Sequence, residues 1–146
     1  MAITSYMYGN NVLGAFNKEI DWDTDTIKVA LLTSTYTPSQ AHNFYDDLTN
    51  EVANGNGYTT GGATLANKTQ AYTEGTGVTK FDADDSAWTA STFTFRYAAV
   101  YVATGNSATS RLIGYVNFGA DITIVSGTVT IPWAATGLFT FTNAVA

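Results

Sequence analysis

Residues 91–103 read STFTFRYAAVYVA, and this stretch decides the fold. Every second residue is aromatic or small and apolar, which predicts one strand face made of Phe93, Phe95, Tyr97, Ala99 and Tyr101. The intervening positions near the end of the stretch are alanine and valine, so the opposite face is partly apolar too. A strand that is apolar on both faces usually lies in the centre of a sheet.

Further strand patterns lie on both sides of this stretch. Upstream, TIKVALLTSTYTP predicts a strand that ends before Pro38, and shorter strands are predicted at 64–73 and 78–81. Downstream, RLIGYVNFG, DITIV, GTVTIPW and GLFTFT predict short strands separated by turns, which include Gly119–Asp121 and Ser126–Gly127. The sequence therefore predicts an all-β chain, with a single antiparallel β-sandwich or small barrel of about 7–8 strands.

One short helix is predicted at about residues 40–53. Ser39 is a suitable N-cap, and Phe44, Leu48 and Val52 recur at helical spacing. This helix belongs to the single β domain that we assign to residues 20–146.

The N-terminal segment, residues 1–19, matches neither period well. We interpret it as an N-terminal arm or edge strand, with a short helix near 11–18 as a further alternative. Its aromatic residues Tyr6, Tyr8 and Phe16 are the candidate interaction residues. We expect this segment to contribute more to assembly than to folding.

Composition narrows the classes of function. The chain of 146 residues has a formal net charge of −6, with only 12% charged residues and no cysteine. Nucleic acids and anionic membranes select clusters of Lys and Arg, so we expect neither as a partner. The N-terminus lacks the charged and apolar regions of a signal peptide, and we expect a soluble protein.

The aspartates of IDWDTDTIKVALL, residues 20–32, resemble the start of a calcium loop. Asp21, Asp23 and Asp25 have EF-hand spacing, but the sixth and twelfth positions of such a loop hold Thr26 and Leu32 instead of Gly and Glu. We interpret the stretch as a polar turn before a strand, with a weak cation site as the alternative. No metal or cofactor is predicted.

No catalytic residues are predicted elsewhere either. Asp82, Asp84 and Asp85 share one turn, which gives no reason for the opposed placement that glycoside hydrolysis needs. His42 is the single histidine, and no nucleophile elbow accompanies it. The glycine-rich stretch 55–62 lacks the lysine of a phosphate loop and predicts a hairpin turn. We therefore expect a protein that is not an enzyme.

The tryptophans Trp22, Trp88 and Trp133 have two interpretations. They are predicted to pack in the core, because strand patterns adjoin Trp88 and Trp133. Exposed and coplanar, they would instead form a sugar-stacking or protein-binding face.

Several ordered phrases resemble small structural proteins of tailed bacteriophages. They are IDWDTDTIKVALLTSTYTP, LTNEVANGNGYTTGGATLANKT, FDADDSAWTASTFTFRYAAVYVATG and LIGYVNFGADITIVSGTVTIPW. The resemblance covers roughly residues 20–140 and is closest to head decoration, or cement, proteins.

This resemblance implies a virion structural protein on the outer surface of the head, made in the host cytoplasm. The implied partner is the major capsid protein or another virion protein, bound by a homo-oligomer in which a trimer is favoured. A tail or tail-tip component is the first alternative, and a carbohydrate-binding module for host attachment is the second.

Overall fold

The computed structural model describes residues 4–143. One α-helix, α1, spans Asn11–Phe16. The eight strands of the described residues are β1 (Thr4–Met7), β2 (Ile27–Leu32), β3 (Ala63–Thr64), β4 (Thr69–Thr73), β5 (Val78–Asp82), β6 (Ser86–Val102), β7 (Leu112–Ile131) and β8 (Phe139–Thr142).

The strands form two antiparallel sheets. Five strands pair in the order β1-β7-β6-β2-β3, and three pair in the order β4-β5-β8. The all-β prediction is therefore confirmed, in the form of a sandwich rather than a closed barrel. A main core cluster draws on both sheets, with Val29 and Phe95 from the larger sheet and Phe139 from the smaller one.

β6 contains residues 91–102 of that stretch and lies between β7 and β2, as predicted for a strand apolar on both faces. The prediction that every second residue of this stretch lies on one face is wrong, however. Phe95 packs in the main core with Val100, whereas Ala99 and Tyr101 pack in two smaller clusters built with other residues. The alternation is interrupted because the pairing of β6 with β7 is irregular between Phe95 and Tyr97.

That irregularity also corrects the predicted turns of β7. Phe95 faces Ile122 and Tyr97 faces Asn117, so β6 advances by two residues while β7 advances by five. Residues 119–121 and 126–127 are therefore irregularities within one 20-residue strand, not turns between strands. Continuous pairing with β6 holds the two parts of β7 together.

The predicted helix at 40–53 is wrong. Apart from one 3₁₀ turn at Tyr45–Asp47, this segment is irregular and lies against the sheet. Several of its backbone bonds go to tertiary partners, since Val52 N–H donates to the Leu31 carbonyl and Tyr45 N–H donates to the Ser110 carbonyl. These contacts override the helical spacing of its apolar residues. The single short helix is α1, within the range 11–18 that was the alternative.

The predicted hairpin turn at 55–62 is confirmed at its first half. Gly55 and Tyr58 exchange two backbone hydrogen bonds, of 2.8 and 3.0 Å. Asn56 and Gly57 between them have φ values of 51° and 86°. Two central residues with positive φ are typical of a type I′ turn.

Gly62 precedes β3 at a point of close backbone approach. An added Cβ would lie 1.8 Å from the Val29 carbonyl oxygen, and φ is +73°. We expect Gly62→Ala to lower the free energy of unfolding by about 3 kcal/mol or more, since strain and overpacking combine. Gly105→Ala is the matched control, because φ is +87° there and no atom lies within 4 Å. Urea denaturation of both variants checks this, and equal losses would contradict the clash.

Asp47 stabilises the turn in the 40–53 segment through its ionised form. Its carboxylate accepts the N–H groups of Asn43 at 2.7 Å and Phe44 at 3.1 Å. The bond from Asn43 is the main cause that lowers the pKa of Asp47. A lowered pKa adds stability above the unfolded value, and this stability is lost as the pH falls below about 4.

We therefore expect Asp47→Asn to destabilise the protein at neutral pH and to differ less from the wild type as acid is added. Denaturation at a series of pH values measures this difference. A difference that grows on acidification would contradict the assigned role of the carboxylate.

Candidate interaction surface

The N-terminal segment is held against the sheet by buried contacts. Tyr8 is 1% exposed, and its hydroxyl shares a 2.9 Å hydrogen bond with that of Tyr36. Arg111, itself buried, donates from Nε to a Glu19 carboxylate oxygen at 2.6 Å. The Arg111 guanidinium also lies over the Phe44 ring, 4.1 Å from its centroid. These contacts hold the start of the chain in one position relative to β7.

Three large apolar side chains of α1 face solvent. Val12 is 45% exposed, Leu13 56% and Phe16 85%. We call these three residues the helix face. Large apolar side chains grouped on one short element are unusual at a free surface and mark sites of contact.

A cleft of about 870 Å³ opens beside the helix face. Val12 and Phe16 line one side, and the three-stranded sheet contributes Phe81 and Phe141 to the other. Trp22 lines it as well and stacks edge-on against Phe81, with ring centroids 5.6 Å apart. Its size and aromatic lining suit an apolar ligand group or the side chains of a partner.

Charged side chains border the same cleft. Lys18, Asp21 and Asp25 are among its lining residues, and all three are half-buried or exposed. An aromatic floor with a polar border is the arrangement found in protein–protein interfaces.

The structure separates the three predicted interaction residues. Phe16 lies in the helix face, whereas Tyr8 is a core residue. Tyr6, 43% exposed, stacks on Tyr115 at a centroid distance of 5.0 Å. Adjacent strand residues point to opposite faces, and its neighbour Met7 lines the cleft, so Tyr6 lies on the other face of β1.

A tyrosine network around Glu51 occupies another part of the molecule. Glu51 accepts the hydroxyl of Tyr58 at 2.6 Å and the N–H of Gly61 at 2.7 Å, and Tyr45 donates to the same carboxylate. Burial, reinforced by Glu51, raises the pKa of Tyr58 and of Tyr45. The hydroxyls are therefore neutral donors that satisfy the carboxylate and fix the loop before β3.

The aspartates of residues 20–32 form the polar turn that their sequence predicts. Asp21 Oδ1 accepts the N–H groups of Asp23 at 3.1 Å and Thr24 at 3.2 Å. The bond from Thr24 is the main cause that lowers the pKa of Asp21. Between Thr4 and Asn143 no group of three or more acidic, histidine or cysteine side chains is arranged to hold a metal ion.

The three aspartates at 82, 84 and 85 each bind a different partner. Asp82 pairs with Lys80 at 3.2 Å, and Asp85 accepts the backbone N–H of Trp133 at 3.0 Å. Asp84 accepts from the side-chain amide of Asn67. Each carboxylate thus has its own structural bond, and the three do not face one another across a site.

His42 contacts the buried tyrosine pair. Its Nδ1 lies 2.9 Å from the Tyr36 hydroxyl, whose pKa burial raises to about 12. Ser39, the nearest serine in sequence, uses its hydroxyl to accept the N–H of Ala41. The contact of His42 is therefore with a core tyrosine.

Two of the three tryptophans are core residues, as predicted. Trp22 is 5% exposed and Trp88 6%, and Trp133 is half-buried against the same core. A flat sugar-stacking face of these rings is therefore not formed.

Comparison with known proteins identified no relative: no protein-family model, curated protein or solved structure matches the chain. In residues 4–143 no helix is long and apolar enough to span a membrane.

Sequence reasoning found Phe16 but missed the rest of this surface. Val12, Leu13 and Phe16 have the spacing of one helical face, and that signal was present in NVLGAF. The contribution of Phe81 and Phe141 had no local signal, because the fold brings them to α1 from far along the chain.

Truncation of Tyr8 and truncation of Phe16 should have very different effects on the free energy of unfolding. We expect Tyr8→Ala to lower the free energy of unfolding by about 3–5 kcal/mol, since it empties a buried aromatic position. Phe16→Ser should change it by less than about 0.5 kcal/mol, because the ring is exposed. Thermal and urea unfolding measure both effects. Equal destabilisation by the two changes would show that Phe16 is a folding residue.

Proposed function

We propose that the chain is a non-enzymatic structural protein of a tailed-phage virion, a capsid decoration protein that binds the outer shell as an oligomer and stabilises it. The observation that carries the proposal is the helix face, with Phe16 85% exposed beside an aromatic cleft. The carboxylates of Asp21, Asp82, Asp84 and Asp85 and the ring of His42 each have a partner within the fold. The resemblance of residues 20–140 to phage structural proteins supports the virion assignment.

The occupant that we propose for the cleft is an apolar segment of the major capsid protein. The floor of aromatic rings would bury such side chains, with a favourable free energy of roughly 25 cal/mol per Å² of apolar area. Lys18 and Asp21 at the border would orient the segment through hydrogen bonds without being fully desolvated.

A rigid scaffold suits this role. The Arg111–Glu19 pair and buried Tyr8 hold α1 in position, so little ordering of the helix is needed on binding. Several copies on one shell would each bridge neighbouring subunits, and linked weak contacts gain effective concentration. Binding to the assembled shell alone would stabilise that state by mass action.

The acidic charge fits the outer surface of the head. A net charge of −6 gives no electrostatic attraction to packaged DNA. The same scaffold would serve in a tail or tail tip, so the experiment must separate the two locations.

The test uses purified chain and isolated capsids and tails of the phage that encodes it. We expect the wild type to co-sediment with capsids and to raise the temperature at which they rupture. A Leu13→Ser, Phe16→Ser double variant should remain folded and bind at least tenfold more weakly, since it removes most of the exposed apolar area.

Tyr6→Ser is the matched control. Tyr6 is 43% exposed on the face of β1 away from the cleft, and its loss should leave capsid binding unchanged. Binding to tails alone would favour the tail component. Binding to neither particle, or undiminished binding by the double variant, would overturn the proposal.

A further inference from the structure

One long strand edge of the larger sheet is unpaired. β1 pairs with β7 only from Gly114 to Asn117, although β7 continues to Ile131. From Asp121 onwards, the outer edge of β7 has no strand partner in residues 4–143.

The part of this edge that suits pairing best is Asp121–Val125, DITIV. The four residues after Asp121 are all β-branched, and such residues favour strands. An irregularity ends the run at Ser126, where φ is +48°. Natural sheet edges are usually protected by lysine or proline, and β7 contains neither.

The direction of the backbone bonds follows from β6. Thr92 N–H donates to the Asn56 carbonyl at 2.9 Å, on the side of β6 away from β7. Backbone groups alternate in direction along a strand, so Phe93 directs its own towards Ile124 of β7. Ile124 of β7 therefore directs its backbone groups towards β6, and Thr123, the residue before it, directs its N–H and carbonyl outwards. Asp121 and Val125, two positions to either side of Thr123, do the same.

We propose that this edge pairs with the same edge of a second copy of the chain. In an antiparallel pair centred on Thr123, Thr123 meets Thr123 of the second copy. Ile122 meets Ile124, and Asp121 meets Val125. About six backbone hydrogen bonds form across the two-fold axis. Main-chain bonds of this kind are the basis of strand addition.

The chemistry of the segment selects a second copy as the occupant. DITIV is self-complementary about Thr123, since isoleucine faces isoleucine on the inner face of the sheet. Asp121 is the single charged residue of β7, and the two-fold register places it opposite an apolar residue rather than another carboxylate. Like charges directly opposite would oppose pairing, and none occur here.

The edge of β4 suits this role less well. The indole N–H of Trp22 donates to the Thr69 carbonyl at 3.0 Å, so part of that strand already has a partner outside the sheet. β4 also belongs to the smaller, three-stranded sheet.

The expected association is weak and depends on salt. About six hydrogen bonds are fewer than the roughly ten of a typical stable interface. Two chains with a net charge of −6 each repel one another, and salt screens that repulsion. Dimer formation should therefore increase with protein concentration and with ionic strength.

This inference deepens the oligomeric part of the proposed function, and it is tested on the purified chain without particles. Failure to pair in solution and failure to bind capsids are then separate results. Sedimentation velocity over a series of concentrations should show a monomer–dimer equilibrium for the wild type. Thr123→Pro should shift it at least tenfold towards monomer, because proline removes an outward N–H that the monomer does not use.

Thr123→Val is the matched control, since it keeps the backbone and the β-branched shape and should dimerise like the wild type. If Thr123→Pro fails to fold by circular dichroism, Thr123→Lys replaces it, because it sets two like charges opposite each other at the two-fold axis.

Amide exchange identifies the edge directly. The N–H groups of Asp121, Thr123 and Val125 should exchange fast in dilute protein and slowly in concentrated protein, while those of Ile122 and Ile124 stay protected in both. A wild type that is monomeric at all concentrations and salt levels overturns the inference. So does a dimer or trimer without protection at these three amides, or a Thr123→Pro variant that associates normally.

Discussion

The pairing of β6 with β7 is the constraint on which the rest of the structure depends. These strands of 17 and 20 residues are paired from Ser86–Ile131 to Tyr101–Leu112, and every other strand of the larger sheet attaches to one of them or through β2. β1 and β2 flank only the part nearest the 103–111 connection. In the half of the hairpin far from this connection, the inner face packs in the main core. Within residues 4–143, no strand flanks β7 there on the side away from β6, so its outer edge is open.

The position of the N-terminal helix is a second consequence of this pairing. Arg111 lies immediately before β7, where it contacts Glu19, Phe44 and Gly14. A buried arginine is stable only when its donors are satisfied, and the carboxylate of Glu19 provides that partner. The polar contact thus fixes α1 while its apolar side chains remain exposed. A rigidly held helix with exposed apolar side chains suits the contact role that we propose for this surface.

Strand positions could be predicted from the sequence because they depend on local alternation and turn residues, as in residues 91–103 and Asn56–Gly57. The face that each residue occupies could not be predicted beyond Phe95. It depends on the irregular pairing of β6 with β7, where two residues of one strand are matched by five of the other. The sequence of either strand alone does not reveal this. The predicted helix at 40–53 failed for a similar reason, since Val52 N–H donates to the Leu31 carbonyl of β2 and the Asn43 carbonyl accepts the N–H of Leu112 of β7. Of the candidate surface, Phe16 was predictable from its place in an apolar segment, whereas the cleft beside it is made by chain segments that only the fold brings together.

The open edge of β7 and the helix face are different kinds of surface, and the difference has a consequence for assembly. Strand pairing is governed by backbone geometry and requires a second extended strand in register, so it suits identical copies. The helix face presents side chains beside a cleft and can accept a different protein whose apolar groups fit it. They lie on separate elements, β7 and α1, so one can be occupied without altering the other. Copies joined through β7 would then present two helix faces in a fixed relation, and simultaneous engagement of both by a repetitive surface would be far tighter than either contact alone.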